Sequence, residues 1–190
     1  MKSNAVFCGS ASGKNTLFHQ GAEEMGVLIA KNNFTLVFGG GKVGLMGIVA
    51  DAALNHNGKV VGIIPEFLQH KEIAHSTISK MIVVKTMQER KEKLINLSDG
   101  FIIMPGGFGT LDELFEVLTT LQLGVHRKPV AIFNPDGFYD HLINFIHQLV
   151  EEGFLKSCYS EMIIVDDKPE SLLDKMKNFS PPELEKWFQS

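Results

Sequence analysis

Short apolar runs of strand length alternate with amphipathic segments of helix length from one end of this chain to the other. Residues 4–8, 35–38, 59–64, 81–84, 101–104, 129–133 and 162–165 read as strands. Helical spacing of apolar residues falls between them, over about 15–31, 45–57, 86–97, 111–123 and 139–152, and Pro169 suits the first turn of a last helix. Pro65 ends the third strand, because proline cannot donate to a ladder, and the polar stretch 66–80 reads as a loop with one irregular turn. Strand–helix alternation of this kind implies βαβ crossovers and a parallel sheet covered on both faces. The expectation is an α/β protein with a Rossmann-like, doubly wound sheet in three α/β/α layers. One domain over residues 1–180 is expected, with a tail from Pro181-Pro182 to the end.

Composition narrows the function. A chain of 190 residues with 44% hydrophobic content can bury one sizeable core. Its net charge of −4 supplies no basic field for nucleic acid. No apolar run approaches the ~20 residues that span a bilayer, and the opening MKSNAVFCGS lacks the apolar core of a signal peptide. Cys8 and Cys158 are too few for a disulfide framework or a cysteine zinc site. A cytoplasmic protein without membrane or nucleic-acid partners is expected.

Three glycine loops follow strands and precede helices. Gly9-Ser10-Ala11-Ser12-Gly13-Lys14 looks like a phosphate loop, but its glycines are one residue too close for a P-loop, and Asn15 replaces the Ser or Thr that would reach Mg²⁺. Gly39-Gly40-Gly41-Lys42-Val43-Gly44 matches G-x-G-x-x-G, yet the acidic residue expected about 20 positions later has only Glu66 as a candidate, beyond Pro65. That misplacement argues against an NAD-dependent oxidoreductase. Pro105-Gly106-Gly107-Phe108-Gly109-Thr110 leads into a segment carrying Asp112, Glu113 and Glu116. Glycines let backbone approach an anion, a helix N-terminus offers open N–H groups, and Thr110 can cap the helix or donate to a phosphate oxygen. One such loop alone is ordinarily a tight turn. Three on one sheet edge point to a phosphorylated, nucleotide-like ligand.

Two segments are more specific than glycine counting. Met87-Gln88-Glu89-Arg90-Lys91 and Pro105-Gly106-Gly107-Phe108-Gly109-Thr110-Leu111-Asp112-Glu113 together resemble the MxxRK and PGGxGTxxE signatures of the LONELY GUY family, the cytokinin riboside 5′-monophosphate phosphoribohydrolases. The likeness extends through VFCGS at 6–10, GGGKVGLMG at 39–47 and SDGFI at 98–102. Phe108 stands where tyrosine is frequent and Asp112 where glutamate is frequent. The resemblance implies hydrolysis of the N-glycosidic bond of a nucleoside 5′-monophosphate, AMP or an N6-modified adenine nucleotide, to free base and ribose 5-phosphate. It also implies a homodimer and neither metal nor redox cofactor.

The resemblance makes Glu113 and Arg90 the catalytic pair. Glycosidic cleavage passes through an oxocarbenium-like state that a carboxylate can stabilise. Glu113 follows Thr110 by about one helical turn, so it can face the loop that holds the phosphate. Arg90, always charged, would orient Glu113 or polarise the departing base. Substrate binding is expected from Ser10, Gly41, Glu72, Lys91, Gly107, Phe108, Gly109, Thr110, Leu111, Asp112 and Thr119. Without the signatures, the charged run 89–93 would read as a solvated helix face, and Glu113 with Glu116 as partners of a helix dipole. The seven histidines form no metal-binding pair at helical spacing, and Cys8 reads as a small buried thiol. Two further alternatives stand beside the hydrolase. One is a pyridoxal-dependent lysine decarboxylase, for which no lysine is marked as a Schiff-base former. The other is a non-catalytic binding protein for nucleotide or molybdenum cofactor.

Overall fold

The computed structural model describes residues 1–69 and 74–181. Seven strands form one parallel sheet: β1 (Ser3–Phe7), β2 (Thr35–Phe38), β3 (Lys59–Pro65), β4 (Lys80–Val84), β5 (Gly100–Ile103), β6 (Val130–Phe133) and β7 (Ile163–Asp166). Their spatial order is β4-β3-β2-β1-β5-β6-β7. The chain therefore winds outward from β1 to β4, returns across the sheet, and winds the other way from β5. The helices are α1 (Thr16–Lys31), α2 (Gly44–Asn55), α3 (Met87–Asn96), α4 (Phe108–Gln122), α5 (Asp140–Glu151), α6 (Ser157–Ser160) and α7 (Pro169–Lys177). This is the Rossmann-like α/β architecture expected from the alternation.

Both faces of the central strands are dry, and the two-residue period of a strand decides which side chain goes where. Val6, Leu36, Phe38, Ile102, Ala131 and Phe133 enter the core under α1, α2 and α7. Their neighbours Ala5, Phe7, Val37, Phe101, Ile103, Val130 and Ile132 enter the core under α3, α4 and α5. Central strands thus read as continuous apolar runs, because neither face meets water.

Local chemistry sets the helix starts. Asn15 caps α1 by accepting from Leu17 N–H at 3.0 Å, so the residue where a P-loop would hold a magnesium ligand has a structural role. Thr86 caps α3, accepting from Glu89 N–H at 3.1 Å, while the Glu89 carboxylate accepts from Lys85 N–H at 2.8 Å. The Thr86-x-x-Glu89 pair therefore fixes where the helix carrying Arg90 begins. α4 starts at Phe108 rather than at 111, because Gly107 takes the extended cap conformation, and Thr110 lies inside the first turn instead of capping it. Among the described residues of the loop after β3, Glu66–Leu68 form a 3₁₀ turn, and the short α6 follows α5. Most of the C-terminal tail lies outside the described residues. Among those described, no helix is long and apolar enough to cross a membrane.

Candidate functional site

Register places the three glycine loops together. β1 pairs Val6 with Phe38 of β2 on one side and Phe7 with Ile103 of β5 on the other. The residues just past these strand ends, Cys8, Gly39 and Met104, therefore meet where the winding reverses. Ligands of doubly wound sheets bind at such a switch point. Main-chain bonds lock the loops to one another: Gly9 N–H donates to Pro105 O at 3.0 Å and Leu45 N–H to Gly9 O at 3.1 Å. Tyr139, almost fully buried, donates its hydroxyl to Met104 O at 2.8 Å. Burial pushes that phenol above its usual range, so it stays a donor.

A cavity of about 200 Å³ opens at this point, lined among others by Cys8, Gly9, Ser10, Gly39, Arg90 and Glu113. Gly107, Phe108, Gly109, Thr110 and Asp112 complete one wall with the first turn of α4, where N–H groups have no intrahelical partner. Space beside Gly107 and Gly109 is open: a Cβ at either would meet nothing within 4 Å. Gly106 is the reverse case, since a Cβ there would fall on the Thr110 side chain.

Arg90 is buried at 6% exposure, so it is not the solvated face that its charged surroundings would suggest. Nη2 donates to Gly39 O at 3.0 Å, and Nη1 approaches Met87 Sδ at 3.9 Å. A Cβ at residue 39 would clash with Nη2, so the guanidinium takes its present place against this backbone because residue 39 is glycine. Glu113 reaches the same cavity from one turn inside α4, as its spacing from Thr110 predicts. Cys8 lies close enough that Glu113, after burial itself, raises its thiol pKa far above the ordinary range. Cys8 is therefore a neutral thiol, not a nucleophile.

Other expected site residues go elsewhere. Lys91 does not line the cavity itself and sits between Glu116 (2.9 Å) and Asp112 (3.2 Å) of α4, the latter a lining residue. These partners, Glu116 first, raise its pKa against the opposing effect of burial. Leu111 packs into the core beneath α4. Gly41 is bridged to Ala74 and does not line the cavity. Thr119 lines a separate apolar cleft with Phe115, Leu118, Ile146 and Leu149. Glu72 lies outside the described residues. Gly39, Met46 and Met87 line the cavity without having been expected there. The signal for Met87 was the first position of its motif, and for Gly39 the strand end itself. A larger groove of about 700 Å³ along the start of α7 shares no lining residue with this cavity and holds mainly surface charges.

Among the described residues no three His, Cys, Asp or Glu side chains are grouped to hold a metal ion. Among the described residues no lysine lines the cavity, so this lining offers no amine for a pyridoxal Schiff base.

Comparison with known proteins bears on the family and the fold. The family described as "Possible lysine decarboxylase" matches residues 46–176. A probable cytokinin riboside 5′-monophosphate phosphoribohydrolase of Oryza sativa subsp. japonica is 43% identical over 176 residues, 93% of this chain and 72% of that one. A cytokinin riboside 5′-monophosphate phosphoribohydrolase of Arabidopsis thaliana is also 43% identical over 176 residues, covering 93% of this chain and 83% of its own. Among solved structures, the molybdenum cofactor binding protein of Rippkaea orientalis superposes with a TM-score of 0.71 over 93% of this chain and 95% of that one. At 23% identity it shows a shared fold.

Proposed function

Because the chain belongs to the LONELY GUY family, whose relatives are named as cytokinin riboside 5′-monophosphate phosphoribohydrolases, we propose that it hydrolyses the N-glycosidic bond of a nucleoside 5′-monophosphate, AMP or an N6-modified adenine nucleotide. The observation that carries this reading is the meeting of Arg90, Glu113 and the open first turn of α4 in one cavity. The 5′-phosphate sits on the N–H groups at Gly107–Thr110, with Ser10 across from it, where bare glycines allow close approach. Anchoring the phosphate presents the ribose to Glu113. As the C1′–N bond breaks, its electron pair moves to the base and positive charge grows on the sugar. The Glu113 carboxylate stabilises that charge and directs water to C1′, and the proton released by water ends on the departing base. Arg90, held from behind by Gly39, orients Glu113 or polarises the base. Products are free base and ribose 5-phosphate.

The same reading includes a homodimer in the cytoplasm. The apolar cleft between α4 and α5, with Phe115 at its rim 41% exposed, is the face we assign to the second copy. Free Cys8 and Cys158 suit a reducing compartment. Light scattering on the purified chain tests the dimer.

Chromatography after incubation with AMP, adenosine or N6-isopentenyladenosine 5′-monophosphate tests the activity. Free base from the monophosphates but not from adenosine is expected, and Glu113→Gln should bind nucleotide while losing turnover by at least ~100-fold. Intact nucleotides throughout, from folded protein, would replace the hydrolase with a binding protein. Native turnover in Glu113→Gln would remove the carboxylate from its role.

A further inference from the structure

His75 lies outside the cavity, 2% exposed, yet it holds the loop on which Arg90 rests. Its ring meets Phe38 edge-on with centroids 6.5 Å apart. Nε2 is 3.1 Å from Asp51 Oδ1 on α2, and Nδ1 is 3.4 Å from the Thr77 hydroxyl. A carboxylate only accepts, so Nε2 carries the hydrogen that faces Asp51, and the Thr77 hydroxyl, which can donate or accept, meets Nδ1. The main chain of His75 donates to Gly40 O at 2.9 Å, and Ala74 pairs with Gly41 in an antiparallel bridge. One residue earlier, Gly39 O receives Arg90 Nη2.

Those contacts have a consequence for Arg90. Gly39, Gly40 and Gly41 have no side chains to pack, and Gly40 adopts φ +81°, so their peptide planes take their orientation from outside groups. His75 N–H grips one carbonyl and Arg90 the preceding one. Burying an imidazole in an apolar core costs free energy unless its nitrogens are bonded, and the Asp51 bond offsets that cost while fixing the ring. Packing against Phe38 alone would be served by an apolar side chain without that requirement.

We propose that His75, fixed by Asp51, is a positioning residue for the reaction: it sets the Gly39–Gly40 peptide and, through the Gly39 carbonyl, the guanidinium of Arg90. This rests on the hydrolase reading above and adds a pair 24 residues apart that no motif contains.

Variants of the full chain test it. His75→Phe keeps the ring packing and the main-chain donor but deletes both ring nitrogens; Asp51→Ala removes the partner; His75→Gln can still donate to Asp51. Expected for the first two is a fall in kcat of about tenfold, with KM within about twofold and folded protein by thermal melt. The double variant should be no worse than the worse single, because both break one path. His75→Gln should recover most of the rate. A wild-type kcat in His75→Phe with only a lowered Tm would overturn the proposal, as would equal losses in His75→Phe and His75→Gln. A readout independent of turnover is the side-chain NMR signal of Arg90, which should shift in His75→Phe and Asp51→Ala. No shift overturns the positioning role. A shift in a chain whose wild type releases no base would leave His75 positioning Arg90 and remove the hydrolase reading instead.

Discussion

Lys91 Nζ lies 2.9 Å from Glu116 Oε2, joining α3 to α4 one residue after Arg90 and one turn after Glu113. The bond crosses between the two helices that supply the proposed catalytic pair, and Asp112 adds a second carboxylate at 3.2 Å. Only 17% of the lysine side chain is exposed, so this is not an ordinary surface pair. Lys91→Met should therefore act on the spacing of α3 and α4. The expected result is a kcat lowered about tenfold with KM little changed, and a Tm lowered by a few degrees. Steady-state kinetics decide the matter, because loss of a direct phosphate ligand would raise KM first.

Glycines at the site divide by what needs them. Gly39→Ala would drive a methyl into the Arg90 guanidinium, so stability should fall by roughly 1–3 kcal/mol and kcat by about 100-fold. Gly109→Ala has open space in the protein itself, so its Tm should stay near wild type while KM rises, because the methyl occupies room the phosphate needs. Melting curves and kinetics on both variants check the contrast.

Cys8 and Cys158 should differ in reactivity. Burial, reinforced by the negative charge of Glu113, raises the Cys8 thiol pKa, while Cys158 is half-buried on α6. Iodoacetamide at pH 8 should modify Cys158 in the native protein and leave Cys8 intact, with both modified after unfolding. Peptide mass mapping reads this directly.

Asp166 makes stability depend on acid. Its carboxylate accepts from Lys175, Ser171 Oγ (2.6 Å) and Lys168 N–H (2.9 Å), which outweigh the opposing effect of burial and hold its pKa at about 2 against 3.8 for an unperturbed aspartate. A folded-state pKa below the unfolded one gives stability that is complete above about 4 and is lost as pH falls toward 2. Thermal melts from pH 5 to pH 2 should show a steeper fall for wild type than for Asp166→Asn.

His126 adds a second pH window. Burial lowers its pKa below the ordinary histidine value, although its bond to Val117 O at 3.0 Å works the other way. Because the folded state favours the neutral ring, the unfolded chain binds the extra proton first. Stability should therefore fall as pH drops below about 6.5, and His126→Asn should flatten that slope in denaturant titrations.

Local pattern alone determined the architecture. Apolar runs at 35–38 and 101–104, each closed by glycine, could only be strands buried on both faces, and the helical spacing between them required crossovers. The two motifs, read through the family resemblance, likewise put Arg90 and Glu113 together, and both line one cavity. Side-chain direction was decided by packing. Arg90 and Lys91 are adjacent in a charged run, yet a step of about 100° around α3 sends Arg90 into the cavity against Gly39 and Lys91 onto the acidic face of α4. Thr119 is carried by the continuing helix into another cleft. The Asp51–His75 bond joins α2 to the chain before β4, and no local spacing encodes such a pairing. Sequence period fixes which face a residue can take within its own element, whereas which element lies opposite that face is set when the sheet closes its layers.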